Sequence, residues 1–375
     1  MSEYTNALKA AVMKGAANRF RDVATMDMRD RLGLEHDKRG RFAPKGGGAS
    51  IAEALKGVEK GRLESMRRIG NYTDANGVKH DTRISKLTGK PISKEMNDII
   101  NALLLGLHVS NAEIEKTAEW TAAKAKLKEF KRVVRKKNGV VETVNIDTPE
   151  RKKRRKEIED MFMADTITAK LNPDAFKKAE KDKSGLKPWK VKKGKIIDVI
   201  TGLPAAGKST VFANSLSVDN QARLIDSDEV KKQFAEFEQG YGASLVHEES
   251  SEIAKRILQR SVEQGDNITY PVIGFKPEKL TELFDKVREY GYTVRIHLNE
   301  LDADKARGRM LLRFAETGRF LPLGLFQKYG NKPTDAYKAV KDKADEYEWY
   351  RSDTGVGSVP KLVEKGKGNK KGGGK

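Results

Sequence analysis

Cysteine is absent from the 375 residues, which excludes disulfides and cysteine-ligated zinc or iron–sulfur centres and fits a reducing, cytoplasmic setting. No apolar run approaches the roughly 18–20 residues that a membrane-spanning helix needs, and the opening MSEYTNALKAAVMKGAANRF lacks a signal-peptide core. A soluble protein with no membrane partner is therefore expected. Aromatic residues make up only 7% of the chain, and apolar residues (37%) barely exceed charged ones (34%), so at least one segment should pack poorly.

What is present is positive charge, unevenly placed. Residues 1–194 carry a net +17, residues 195–360 a net −2 and residues 361–375 a net +5. The asymmetry argues for regions with different roles. The punctuation divides the chain into a flexible arm (1–50) ending in the linker-like DKRGRFAPKGGGAS, a basic, mainly helical region (51–180), a linker KDKSGLKPWKVKKG (181–194), an α/β domain (195–360) and a disordered basic tail (361–375).

Within the basic region, apolar residues recur at helical spacing between Ile51 and Ile69 and between Ile92 and His108. Ser110-Asn111-Ala112-Glu113 has capping-box spacing and opens a helix expected to run to Lys136-Lys137. VVETVNI reads as a short strand, and Thr148-Pro149-Glu150 opens a further helix, to about Leu171. The cationic runs at 131–137 and 151–156 point either to a nucleic acid or other polyanion or to solvated helix faces.

From Lys195 short apolar strands alternate with helical stretches: Ile196 to Ile200, QARLID, NITYPVI and YTVRIHL. That alternation predicts an α/β fold, a parallel sheet with helices on both faces. The first strand runs into Gly202-Leu203-Pro204-Ala205-Ala206-Gly207-Lys208-Ser209-Thr210, which fits G-x-x-x-x-G-K-[ST] at every defined position. Glycines let backbone N–H groups close on phosphates, Lys208 supplies a cation and the Ser209 hydroxyl can ligate Mg²⁺. ATP or GTP with Mg²⁺ is the expected cofactor.

The second strand ends Leu224-Ile225-Asp226-Ser227-Asp228, two carboxylates at the carboxyl edge of the sheet, beside the loop if the strands are neighbours. Asp226 could hold Mg²⁺ or substrate, and Asp228 either accepts a proton from an attacking hydroxyl or caps the following helix. Further on, Arg313 and Arg319 flank Gly318, which should end a helix and turn Arg319 back to clamp a transferring phosphoryl group; Arg307 and Arg309 are expected on the surface. His247, with no partner at ligand spacing, reads as structural.

Residues from about Ile196 to Arg351 resemble the zeta-toxin family of P-loop kinases through VITGLPAAGKST, LIDSDEVKKQF, HEESSEIAKRILQRSVEQGDN and the spaced pair Arg313 and Arg319. The resemblance implies ATP-dependent phosphorylation of a UDP-N-acetyl amino sugar, with Asp228 as base, Lys208 and Ser209 on phosphates and metal, and both arginines on the moving phosphate. It also implies an acid on the helix after the base for the sugar, with Glu249 and Glu252 as candidates, and an antitoxin-like protein partner. This chain departs from the family at Asn267-Ile268-Thr269-Tyr270-Pro271-Val272-Ile273-Gly274, where a carboxylate is usual and none stands; Tyr270 could supply a hydroxyl there or be an ordinary strand residue.

The leading expectation is thus a bacterial or phage-encoded kinase acting on a small-molecule hydroxyl. RGRFAPKGGG is similar to a short segment of some bacteriophage head and portal-associated proteins. The alternatives are a polynucleotide 5′-hydroxyl kinase, whose polyanion the N-terminal region would have to bring, and a phage nucleic-acid-associated structural protein with a nucleotide site.

Overall fold

The computed structural model describes residues 84–126, 148–319, 322–352 and 360–368, apart from 86, 105, 182–183 and 241, together with four short strands upstream. Those strands form two antiparallel hairpins, β1 (Leu34–His36) with β2 (Phe42–Pro44) and β3 (Asn71–Thr73) with β4 (Lys79–Asp81). The expected helix from Ile51 to Ile69, the strand VVETVNI and the cationic run at 131–137 lie outside the described residues.

The centre is a six-stranded sheet in the order β12-β11-β10-β7-β9-β8. Its strands are β7 (Ile196–Thr201), β8 (Arg223–Leu224), β9 (Ile268–Pro271), β10 (Thr293–Glu300), β11 (Glu346–Arg351) and β12 (Lys361–Lys367). β7 is parallel to both β9 and β10, with Val199 opposite Tyr270 on one side and Ile296 on the other. A run of β-branched residues suits a strand buried on both faces. From β7 the order runs one way to β9 and β8 and the other way to β10, so a switch point lies at the carboxyl end of β7, where open α/β sheets bind ligands. The mainly parallel sheet flanked by helices agrees with the fold class read from the alternation.

Helices α1 (Lys94–Leu104), α2 (Asn111–Glu115), α3 (Pro149–Phe162) and α4 (Pro173–Lys181) precede the sheet. Within and after it come α5 (Asn214–Asp219), α6 (Ser227–Lys231), α7 (His247–Glu263), α8 (Pro277–Glu289), α9 (Ala303–Thr317), α10 (Gly324–Tyr329) and α11 (Lys332–Val340). Thr148 caps α3 as expected, accepting from the Arg151 N–H, and Ser110 closes its capping box with Glu113. The Ser110 helix does not run on unbroken: the Thr117 hydroxyl donates to the Ile114 carbonyl and accepts from the Trp120 N–H, ending one helix and capping a new stretch at 118–126. Helix α3 also stops earlier than Leu171, at Phe162.

Two cores ignore the expected boundary at 181–194. One joins Ile158 and Phe162 of α3 and Trp189 to Val199, Ile257, Phe284, Ile296 and Tyr337. The other joins Met96, Ile100 and Leu103 of α1 to Leu203 and Ala206 of the glycine loop and to Met310 and Phe314 of α9. α1 and α9 approach closely at Gly308, where a Cβ would come within 3.0 Å of Leu103. Thus the described helices of the basic region are packed into the α/β unit. The linker reading is corrected likewise: β6 (Trp189–Lys190) pairs with β5 (Thr166–Ile167), and the Trp189 ring is buried and stacks on Phe176. The tail reading is corrected from 361 to 367, where β12 adds antiparallel to β11. Few apolar side chains were needed, because an open sheet edge offers backbone donors and acceptors to any extended segment.

Candidate active site

β7 delivers the glycine loop to the switch point. Gly202 has φ 144°, and a Cβ there would lie 2.4 Å from the Asn299 carbonyl oxygen, so no side chain fits; Gly207, at φ 91°, also occupies the left-handed half of the map. Asn299, buried at the end of β10, donates its side-chain amide to the Ala206 carbonyl (2.9 Å) and accepts from the Ser352 hydroxyl. The loop is therefore held from outside by the strand next to it. After Gly207 the chain winds through a π-helical turn (Lys208–Ala213) into α5.

The Lys208 Nζ donates to the carbonyls of Gly202 (2.6 Å) and Leu203 (2.8 Å). Burial pulls its pKa down to about 8, against the opposing pull of Asp226 and Asp228, which places both carboxylates within electrostatic reach of the lysine. The side chains of Ser209 and Thr210 lie outside the described residues.

The two aspartates divide their work differently from the capping alternative. Asp226, buried, is the cap of α6: its Oδ1 accepts from the Asp228 N–H at 2.9 Å. Asp228 is left to project from the first turn, where its Oδ1 accepts from Lys231 Nζ (2.9 Å) and its Oδ2 from the Arg319 guanidinium. Burial favours the neutral acid, but Arg319 and Lys231 outweigh it and hold the carboxyl well below the usual carboxylate range. The strand relation differs from the expectation: β9 lies between β7 and β8. The hydroxyl of Tyr270, at the end of that intervening strand, is pushed up by burial and by the Asp226 charge.

Gly318, at φ 76°, ends α9 with its N–H on the Phe314 carbonyl (2.8 Å), and Arg319 turns back to Asp228. Desolvation pulls Arg313 below its ordinary value and the Arg319 charge adds to it, while Asp228, Asp174 and Asp226 oppose, so Asp228 acts on Arg313 as well as bonding Arg319. Arg307 is not a surface residue. It is buried, donating to Asp304 (2.9 Å), to the Val109 carbonyl (2.8 Å) and to Asn111 (2.9 Å), and so ties α9 to α2. Arg309 is half-buried and donates to the Ser352 carbonyl.

The structure therefore brings Lys208, Asp226, Asp228, Arg313 and Arg319 together and leaves Glu249 and Glu252 apart. The Glu249 carboxylate is buried beneath Arg151, and Glu252 pairs with Arg256 on the exposed side of α7. Burial and Lys231 lower the pKa of His247, and among the described residues no cluster of three or more His, Asp or Glu could hold a metal. Sequence reasoning missed Lys231, Asn299, Ser352 and Arg151. Only Lys231 carried a legible signal, standing three residues after Asp228 on one helical face.

No curated protein matches the chain. Among solved structures, a protein of the PezAT chromosomal toxin-antitoxin system of Streptococcus pneumoniae matches at 16% identity and a TM-score of 0.39, covering 53% of this chain and 81% of that one. The complex AvrRxo1-ORF1:-ORF2 with ATP matches at 16% identity and a TM-score of 0.41, covering 58% and 68%. Residues 181–353 match the zeta toxin family model, so the stretch that carries the glycine loop, both aspartates and both arginines is the zeta-toxin-like part of this chain.

Proposed function

We propose that this protein is an ATP-dependent phosphotransferase of the zeta-toxin type that moves the γ-phosphate to a hydroxyl of a small molecule. The observation that carries the reading is the convergence on Asp228, an ionised carboxylate one electrostatic step from the phosphate-loop lysine and bonded to an arginine and a lysine. An ionised carboxylate can accept the proton of an attacking alcohol, and a guanidinium can follow the charge that spreads over the transferring oxygens.

In this reading the loop amides and Lys208 hold the phosphates, Asp228 takes the acceptor's proton, and Arg313 with Arg319 close over the moving group. Mg²⁺ is ordinarily held by one or two protein oxygens plus the phosphates. Asp226 is a hard oxygen donor near Lys208, so the residues fit that ion, with Ser209 as the second donor; when bound, the ion neutralises phosphate charge. The UDP-N-acetyl amino sugar is the first acceptor to try, with Tyr270 as the polar group beside Asp226 where the family usually has an acid.

The test is incubation with γ-labelled ATP and, separately, amino sugars, UDP-sugars and oligonucleotides with a free 5′-hydroxyl. Label should move to a sugar derivative and not in the Asp228→Asn protein. Transfer to the oligonucleotide would instead favour the polynucleotide reading. Absence of transfer to every acceptor, with Lys208→Ala binding ATP as wild type does, would remove the kinase reading.

A further inference from the structure

Helix α3 lies outside the segment that matches the family model, yet its first turns contact the chain that follows α6 and the first turn of α7. Arg151 grips Glu249 with two donors, Nε to Oε1 at 2.9 Å and Nη2 to Oε2 at 2.7 Å, and reaches Glu236 Oε1 with Nη1 at 2.8 Å. Its guanidinium carbon stands 4.5 Å from the centre of the Phe234 ring. One turn on, Arg154 donates to the Gln233 carbonyl at 2.7 Å, and Arg155 stands 3.6 Å from Glu249. These contacts fall on both ends of one stretch of chain: Gln233, Phe234 and Glu236 follow α6 directly, and Glu249 sits in the first turn of α7.

That stretch leads to the reacting groups. It begins two residues after Lys231, which bonds Asp228, and its middle passes beneath Arg319, where a Cβ on Gly240 would lie 2.8 Å from the Arg319 Cα. Arg319 in turn bonds Asp228. A clamp that holds the two ends of 233–249 therefore fixes the backbone against which Arg319 rests. The clamp is also electrostatically necessary: Glu249 is 4% exposed, and a carboxylate so buried is tolerated only when paired. Arg223 anchors the far end of α3, donating to the carbonyls of Phe162 and Ala164 from full burial, so Arg151 projects from a fixed element.

We propose that Arg151 is a positioning residue for phosphoryl transfer, which by clamping the segment 233–249 between Glu236 and Glu249 sets the placement of Arg319 against Asp228. The inference rests on the kinase reading above. It gives the appended helix a part in the chemistry, and it makes Glu249 the clamp's anchor in place of a sugar ligand.

The experiment compares the full-length wild type with Arg151→Met and Arg151→Lys. It measures turnover of ATP with UDP-N-acetylglucosamine or water as acceptor, binding of a fluorescent ATP analogue, and amide hydrogen exchange. Arg151→Met should lower kcat by about tenfold or more while KM for ATP stays within about twofold, the pattern of an interaction that serves the transition state. Exchange should accelerate in 233–249 and stay unchanged in β7 and β10. Arg151→Lys should recover part of kcat, and Glu236→Gln, which weakens one jaw only, should show the same pattern to a smaller degree. Unchanged kcat in Arg151→Met overturns the proposal, as does a parallel loss of ATP affinity and of protection in the sheet, which would mark a purely structural role. If Arg151→Met does not fold, Glu236→Gln decides on the same criteria. Wild-type protein that turns over no ATP and binds the analogue no better than Lys208→Ala overturns the kinase reading itself and this proposal with it; failure of the clamp alone leaves wild-type turnover intact.

Discussion

Asn299 donates its side-chain amide to the Ala206 carbonyl at 2.9 Å, so the strand beside the phosphate loop holds the loop's shape from behind. Asn299→Ala would leave that carbonyl and the Ser352 hydroxyl without a partner in a buried place, a loss of about 1–3 kcal/mol. ATP affinity, read by titration with a fluorescent analogue, should fall by about tenfold as the loop relaxes. Ser352→Ala should move the same way and less far.

Lys208 sets an alkaline limit. With its pKa pulled down to about 8, the ammonium is lost as pH rises through that value, so kcat/KM for ATP should decline above pH 8. Free-enzyme ionisations govern kcat/KM, and a profile measured from pH 6 to 10 checks it. A flat profile across that range would contradict the buried setting of the lysine, in which desolvation outweighs Asp226 and Asp228.

Asp228 should show the opposite behaviour. Arg319 and Lys231 keep it ionised well below neutral pH, so it should impose no acid limb on a rate profile taken from about pH 5 to 7. Asp228→Asn should lower kcat by about 10²–10⁴-fold while leaving binding of the ATP analogue in place. Equal loss of binding and turnover would assign Asp228 to nucleotide binding.

His297 lies buried between two carboxylates, Nε2 on Asp198 at 2.9 Å and Nδ1 on Glu348 at 3.0 Å. Both nitrogens face acceptors, which requires the doubly protonated ring. Burial lowers its pKa, but Asp198 and Glu348 outweigh it and raise it above the ordinary 6.5. Because the folded value is the higher one, the stabilisation is complete below pH 6.5 and is lost as pH rises through the folded value. Urea titrations should show a falling midpoint as pH rises from 6.5 through the folded value. His297→Ala removes one partner from each carboxylate while Arg295 and Asn220 stay on Asp198 and Tyr350 stays on Glu348, so it should cost about 1–3 kcal/mol and flatten the dependence.

The sheet, its strand segments and the phosphate loop were legible because each depends on local chemistry: β-branched runs, a glycine where φ is positive, a cap before a helix. Gly318 and Thr148 act as their positions predict. Long-range partners were not legible. Nothing in VKKG or KPWK announced that Trp189 would stack on Phe176, and Arg307 gave no sign that Val109 and Asn111 would bury it. The aspartates were read as a pair at the sheet edge, but which one caps α6 depended on two residues of register. Arg151 stood in a run of six cations whose composition suggested a solvent-facing or polyanion-binding stripe, and its acidic partners lie 85 and 98 residues away.

Arg223 also changes how this protein can be dissected. Its guanidinium closes the carboxyl end of α3 from inside the sheet, while Lys193 and Arg223 share Asp266. A chain shortened to begin at Lys195, the point where the composition shifts, would strip Ile158, Phe162 and Trp189 from the interior and leave a buried cation facing a void. A shortened chain that keeps the α3 contacts starts before Thr148, and one that keeps the Gly308 crossing starts before Lys94.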